Sequence, residues 1–387
     1  MNNISKILES LPNIRQFDLK RIKNKILYIG AAGFEDRSVA LFNSAIKQKV
    51  KFEKVLAIEY EPYDDKNNKK IFGEYIKKIR VSKKNETWLT YDRFAPESFS
   101  VALHDYVKEI KRDTTMLVDI SAMSKFLIVV LLQELRILPN DLEIVYAEAK
   151  LYHPTEKTFL EKTKGKGQQE LPIFLTTDIY KIVTTYSLSC ISMQGYPIVL
   201  LSFLTFNYRE LAAIINEITP ELSILFEGNP HKKNNEWRLK AVRWINKKVT
   251  DYIRAKKLMC STFYYKELLK YLESIYQKYG DTHKLVVAPT GSKLQTIAVF
   301  LFKQLHPDVQ FIYPVTRKFS KEYTSGVERI WTISFPEFNR IINQLDKHRK
   351  GSLLKLKEKI DLLERKHERI KGSADTFFPK NKCELIK

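Results

Sequence analysis

The chain carries one strand–turn–helix pattern twice, and no other feature limits its fold as much. Lys284 to Ala288 is a short apolar run, and Pro289-Thr290-Gly291-Ser292-Lys293 is a tight small-residue turn. Leu294, Ile297, Ala298, Leu301 and Phe302 then recur at helical spacing. The same order occurs 168 positions earlier, in Met116 to Ile120, Ser121-Ala122-Met123-Ser124-Lys125, and Leu127, Val130, Leu131 and Leu135. A strand-like segment follows each helix, Leu142 to Tyr146 and Val309 to Tyr313.

The correspondence runs backward as well. Lys25 to Ile29 is an apolar strand that leads into Gly30 to Arg37, and Pro197 to Leu201 leads into Ser202 to Arg209. Phe34 then matches Phe206, and Arg37 matches Arg209, at an offset of 172. The next strands, Val55 to Glu59 and Ser223 to Glu227, return to an offset of 168. The second copy is therefore expected to be about one helical turn shorter between its first two strands. Several matches in one order indicate an internal repeat.

Strands that alternate with helices predict an α/β fold, here two tandem Rossmann-like units with a mostly parallel sheet covered on both faces. The predicted partition is a first unit at 1–150, a join at 151–190, a second unit at 191–335, and a basic helix and tail at 336–387. Asp36 to Lys47 is a predicted helix with Val39, Phe42 and Ile46 inward, and Trp237 and Trp244 lie seven apart on the face of another. The two tryptophans suit a core or interface better than a base-stacking platform.

Composition narrows the function classes. The formal charge is +21, which attracts polyanions or an acidic partner; a Lys- and Asn-rich chain also arises from an AT-rich genome. Cys190, Cys260 and Cys383 are too few and too scattered for a disulfide framework or a zinc site. No apolar run reaches membrane-spanning length and Met1 to Gln16 lacks an apolar signal core, so the expected location is cytoplasmic.

In an open parallel sheet, ligands bind beyond the carboxyl ends of the strands. The candidate ligand-binding residues are therefore Gly33, Arg37, Ser121, Ser124 and Lys125 from the first copy, and Arg209, Thr290, Gly291, Ser292 and Lys293 from the second. Free backbone N–H groups at a helix start, with a Ser and a Lys beside them, suit a phosphate. The plain alternative is a turn capped by Ser292. Arg37 and Arg209 suit a phosphate clamp, or equally a helix-start ion pair with Glu59 or Glu227. Glu35, Asp36 and Asp119 are the candidate catalytic carboxylates, with Mg as the cofactor if the cleft is enzymatic. No metal site is otherwise predicted.

Duplicated Rossmann-like halves with a turn such as Pro289-Thr290-Gly291-Ser292-Lys293 after the fourth strand resemble the CARF and SAVED ligand-sensing domains of CRISPR-linked and cyclic-oligonucleotide antiphage systems. Ser121-Ala122-Met123-Ser124-Lys125 is the counterpart and lacks the Gly. The resemblance spans about residues 25 to 335. It implies a nucleotide or nucleic-acid phosphate held between the repeats, in a sensor whose effector is a separate protein chain, because no effector domain is legible here. The alternatives are a metal-dependent nuclease or nucleotide hydrolase or transferase in the same cleft, and a structural subunit holding RNA or DNA. None of the three involves a membrane.

Overall fold

The computed structural model describes residues 2–62, 68–167, 171–172, 174–319 and 323–347. In chain order the elements are α1 (Asn2–Ser10), β1 (Arg15–Gln16), β2 (Lys25–Ala31), α2 (Ala40–Gln48), β3 (Lys54–Glu61), α3 (Lys69–Lys78), β4 (Glu86–Asp92), α4 (Glu97–Val107), β5 (Thr114–Asp119), α5 (Lys125–Leu135) and β6 (Leu142–Tyr152). There follow α6 (Glu156–Thr163), β7 (Thr176–Val183), β8 (Ile198–Phe203), α7 (Tyr208–Ile218), β9 (Leu222–Asn229), α8 (Trp237–Thr250), β10 (Ala255–Ser261), α9 (Tyr265–Tyr279), β11 (Lys284–Val287), α10 (Lys293–Leu305), β12 (Gln310–Phe311), β13 (Tyr313–Phe319) and β14 (Thr324–Phe335). Residues 338–347 are again helical. The rest of the basic helix expected at 336–387 lies outside the described residues.

Two sheets share one strand order. The first runs β4-β3-β2-β5-β6 and the second β10-β9-β8-β11-β12, and all of these neighbours are parallel. Both orders are those of a Rossmann-like unit with its switch point beside the first strand of the repeat. The offsets read from the sequence reappear as equivalent hydrogen bonds. Ala32 N–H donates to Ile58 O at 2.8 Å, and Leu204 N–H donates to Phe226 O at 3.0 Å.

The layers follow from strand alternation. In β2, Leu27, Ile29 and Ala31 join a central core, while Ile26 and Tyr28 face an outer one with Phe42 and Phe72. In β11, Leu285 and Val287 face the same central core, and Val286 faces a second outer core with Leu211 and Ile245. The central core is shared because α4, α5, α9 and α10 lie between the sheets, with α5 packed on α10. Both faces of each strand are buried, which is why the strands read as unbroken apolar runs.

The repeats are also interlocked. The long strand β6 pairs antiparallel with β14, which comes from the far end of the second repeat. The matching stretch of that repeat, β12 with β13, continues from its own sheet to pair with β7, which follows the first repeat. The segment 151–190, expected as a join, therefore supplies α6 and a strand that pairs with the second repeat.

Several local expectations shift. Ile46 is 43% exposed, and Leu41, Phe42 and Ala45 are buried instead. A 3₁₀ turn at Asp36–Val39 precedes α2 and rotates the inward face. Trp237 and Trp244 both pack on Phe159, at 5.8 and 6.0 Å between ring centroids, within the second outer core. No described helix is long and apolar enough to cross a membrane.

Candidate functional site

α5 and α10 begin with the same residue, and both starts open into one cavity between the repeats. Ser124 caps α5, its Oγ accepting Leu127 N–H at 3.2 Å, and Lys125 is the first helical residue. Ser292 caps α10 in the same way, accepting Gln295 N–H at 3.1 Å, and Lys293 follows. A cation at the first position of a helix opposes the macrodipole, since that end is already electropositive. Two such lysines therefore have no use as helix stabilisers.

The cavity has a volume of about 380 Å³ and is lined from both repeats and from the exchanged strands. That falls in the range of small-molecule sites, about 300–1,000 Å³. Lys293 crosses the interface: its Nζ donates to Met123 O at 2.9 Å and lies 3.6 Å from Glu35 Oε1. Burial pushes the Lys293 ammonium down to about 8, with Arg37 and Lys125 adding to the shift and Glu35 opposing it. Lys125 is likewise lowered by burial, against the opposing charges of Glu210 and Glu35. Burial pushes Glu35 up, but Arg37, Lys293 and the Thr324 hydroxyl outweigh it and hold the carboxyl below its ordinary value. Glu210, which faces Lys125, is raised by burial.

The predicted residues divide into two groups. Gly33, Glu35, Arg37, Ser124, Lys125, Thr290, Gly291, Ser292 and Lys293 all line the cavity. Arg37 is 2% exposed; it donates to Ala147 O at 2.8 Å, pairs with Glu35, and lies 5.5 Å from the Tyr146 ring centroid. Thr290 Oγ1 donates to Phe203 O at 3.1 Å. Ser292 Oγ donates to Thr262 O at 2.6 Å, so its hydroxyl is engaged on both sides. Gly33 and Gly291 are close-approach positions. A Cβ on Gly33 meets Ala122 O at 2.9 Å, and one on Gly291 meets Gln295 Oε1 at 2.3 Å and the Phe203 ring at 2.7 Å.

Ser121, Asp36, Asp119 and Arg209 are not among the lining residues. Ser121 Oγ is fully buried and accepts Ala147 N–H at 2.7 Å. Asp36 accepts Gly326 N–H at 2.8 Å. Asp119 accepts Ser121 N–H at 2.9 Å and the Tyr28 hydroxyl at 3.3 Å, and burial pushes its carboxyl up to about 6. Glu35, Asp36 and Asp119 therefore do three separate jobs. Among the described residues no group of three His, Cys, Asp or Glu side chains can hold a metal ion. Arg209 stands in the first turn of α7, partly exposed. The ion pairs weighed for the two arginines form elsewhere: Glu59 pairs with Lys69, and Glu227 pairs with Arg243 at 2.5 Å.

Sequence reasoning missed a third of the wall. Tyr146, Glu148 and Tyr152 come from β6, Tyr313 from β13, and Tyr323 and Thr324 from the start of β14. Arg238 also lines it, 4.5 Å from the Phe206 ring centroid, with Nη1 donating to Pro154 O at 2.9 Å. The cavity thus combines buried cations with many aromatic faces.

No family model matches the sequence, and no curated protein does. Among solved structures, the chain is similar to a type III CRISPR defence DNA nuclease activated by cyclic oligoadenylate. That match has 11% identity, covers 74% of this chain and 65% of that one, and has a TM-score of 0.47. Can2 from Sulfobacillus thermosulfidooxidans in complex with cyclic tetra-adenylate matches at 13% identity over 33% of this chain and 38% of that one, with a TM-score of 0.24. The cytoplasmic domain of a prokaryotic cation chloride cotransporter matches at 8% identity over 76% and 96%, with a TM-score of 0.23.

Proposed function

We propose that the cavity between the repeats binds a nucleotide or nucleic-acid phosphate, and that the protein is a sensor subunit of an antiphage system that passes this signal to a separate effector chain. The observation that carries this reading is the pair of lysines, Lys125 and Lys293, at the first positions of two helices that open into one cavity. Each is held against burial and against the helix dipole, with only partial compensation by Glu35 and Glu210. A phosphate at the helix starts relieves both costs at once, because it meets the free N–H groups and the ammonium groups together. The aromatic wall suits stacked bases. The resemblance to CARF and SAVED domains points the same way, to a cytoplasmic nucleotide sensor.

The test is calorimetric titration of the full chain with adenosine, 5′-AMP, the dinucleotide ApA and cyclic tetra-adenylate, alongside mass spectrometry of whatever co-purifies. The phosphate-bearing probes bind and adenosine does not, and the affinity falls with salt. Equal binding of adenosine, or no binding of any probe, sinks the proposal.

A further inference from the structure

One corner of the cavity has no counterpart in the other half. His231, on the loop after β9, places Nε2 3.1 Å from Glu148 Oε1. Its ring lies on Phe263 at 4.3 Å between centroids, which fixes its plane. Glu148 is 2% exposed and cannot turn away, because Lys232 Nζ and Trp331 Nε1 each reach it at 2.9 Å. At the matching positions of the other repeat the sequence has Tyr63 for His231 and Thr316 for Glu148. The two lysines are thus common to both halves, whereas the imidazole–carboxylate pair is built once.

His231 stands beside the start of α10. Ser292 donates to Thr262 O at 2.6 Å, Phe263 follows Thr262, and His231 packs on Phe263. Gly291, Ser292, Lys293, Phe263, His231 and Glu148 all face the same space. A carboxylate that holds one imidazole nitrogen as N–H leaves the other with its lone pair outward, as a general base requires. Burial works against ionisation of Glu148, but hydrogen bonds from His231, Lys232 and Trp331 outweigh it and hold the carboxyl down at about 2. It therefore stays an acceptor at any working pH.

We infer that the cavity is catalytic as well as binding, and that His231, positioned by Glu148, cleaves a ribonucleotide phosphodiester seated at the start of α10. This rests on the phosphate-binding reading above. Nδ1 of His231 takes the proton of the ribose 2′-hydroxyl. The 2′-oxygen forms a bond to phosphorus, and the bond from phosphorus to the 5′-oxygen breaks. The departing oxygen takes a proton from the Lys293 ammonium, and water returns the His231 proton to solvent and reprotonates Lys293. The products are a 2′,3′-cyclic phosphate and a 5′-hydroxyl. No oxidant, reductant or metal is consumed. Lys293 and the backbone N–H groups of the turn face the charge that gathers on the phosphorane oxygens.

The experiment incubates the full-length protein with ApA and with cyclic tetra-adenylate in EDTA, reads products by chromatography with mass spectrometry, and measures binding of each probe in parallel. Products ending in a 2′,3′-cyclic phosphate are expected, and a 2′-O-methyl ApA should bind and stay intact. His231→Ala should slow cleavage at least about a hundredfold, with affinity within about tenfold and an unchanged melting temperature. Glu148→Gln should lower kcat while leaving KM nearly unchanged and should alter the pH profile, which a purely structural role would not do. Probes that bind the wild-type protein and remain intact overturn the inference and leave the binding reading standing. So does cleavage of the 2′-O-methyl probe, or wild-type cleavage by His231→Ala. If neither probe binds, both fail.

Discussion

Lys293 is the residue on which most of the site's energetics meet. In the ligand-free cavity burial brings its ammonium down to about 8. A bound phosphate favours the charged form and raises that value. Between the two values binding takes up a proton, so affinity falls as pH rises above about 8, by at most about tenfold per unit. Folding runs the other way. The unfolded chain binds more protons between about 8 and the ordinary lysine value, so the ligand-free protein gains stability as pH rises through that window. We expect titrations of ApA from pH 7 to 9.5 to show this loss, and Lys293→Arg to flatten it, because a guanidinium keeps its proton there. A flat profile for the wild-type protein would mean that Lys293 does not meet the phosphate.

At the scale of elements, the turn before α10 is a compact cap as much as a binding loop. Ser292 and Gln295 form a reciprocal capping box, and Gln295 Nε2 also donates to Ser261 O at 3.0 Å. Ser292→Ala should cost about 1 kcal/mol of stability through the lost cap, a drop of a few degrees in Tm for a chain of this length. Gly291→Ala should lower Tm further, because its Cβ runs into Gln295 and Phe203, neither of which can move without opening the box or the central core. Thermal melts of both variants check this. Unchanged melting would show that the turn is free to adapt.

Legibility in the sequence follows the same line between local and distant. The strands with two buried faces, the helix starts at Lys125 and Lys293, and the repeat itself are local apolar patterns, and they could be read directly. The exposed edge strand β10 has Lys256 and Lys257 in its middle, so it lacks the apolar run that marks β2 or β11. Glu210 reads as an ordinary acid in the first turn of a helix, and only the fold brings it to Lys125. Glu148, Tyr152 and Tyr323 reach the cavity because β14 crosses back onto β6. That pairing joins segments nearly half the chain apart, and periodicity within a segment carries no trace of it.

At the scale of the whole molecule, the exchange of β7 and β14 makes the repeats one cooperative body. Trp88 lies on β4 in the first sheet, Trp237 and Trp244 pack on the second, and Trp331 sits on the exchanged strand β14. Fluorescence of variants that retain only Trp88, or only Trp244, should report the same denaturation midpoint, and far-ultraviolet circular dichroism should coincide with both. Two separated midpoints would show that the repeats unfold independently despite the exchange. The same interlocking holds the two helix starts at a fixed separation, so that one ligand can touch a lysine from each repeat. A double-mutant cycle on those lysines tests this most directly, with the affinity of cyclic tetra-adenylate measured by calorimetry for the wild-type chain, Lys125→Ala, Lys293→Ala and the double variant. Each single change should weaken binding by about ten- to hundredfold, the loss of one charged hydrogen-bond donor, and the two effects should be non-additive by about 0.5 kcal/mol or more because they share one ligand. All four proteins should melt alike. Affinities that stay within twofold of wild type in both single variants would contradict a phosphate site between the repeats.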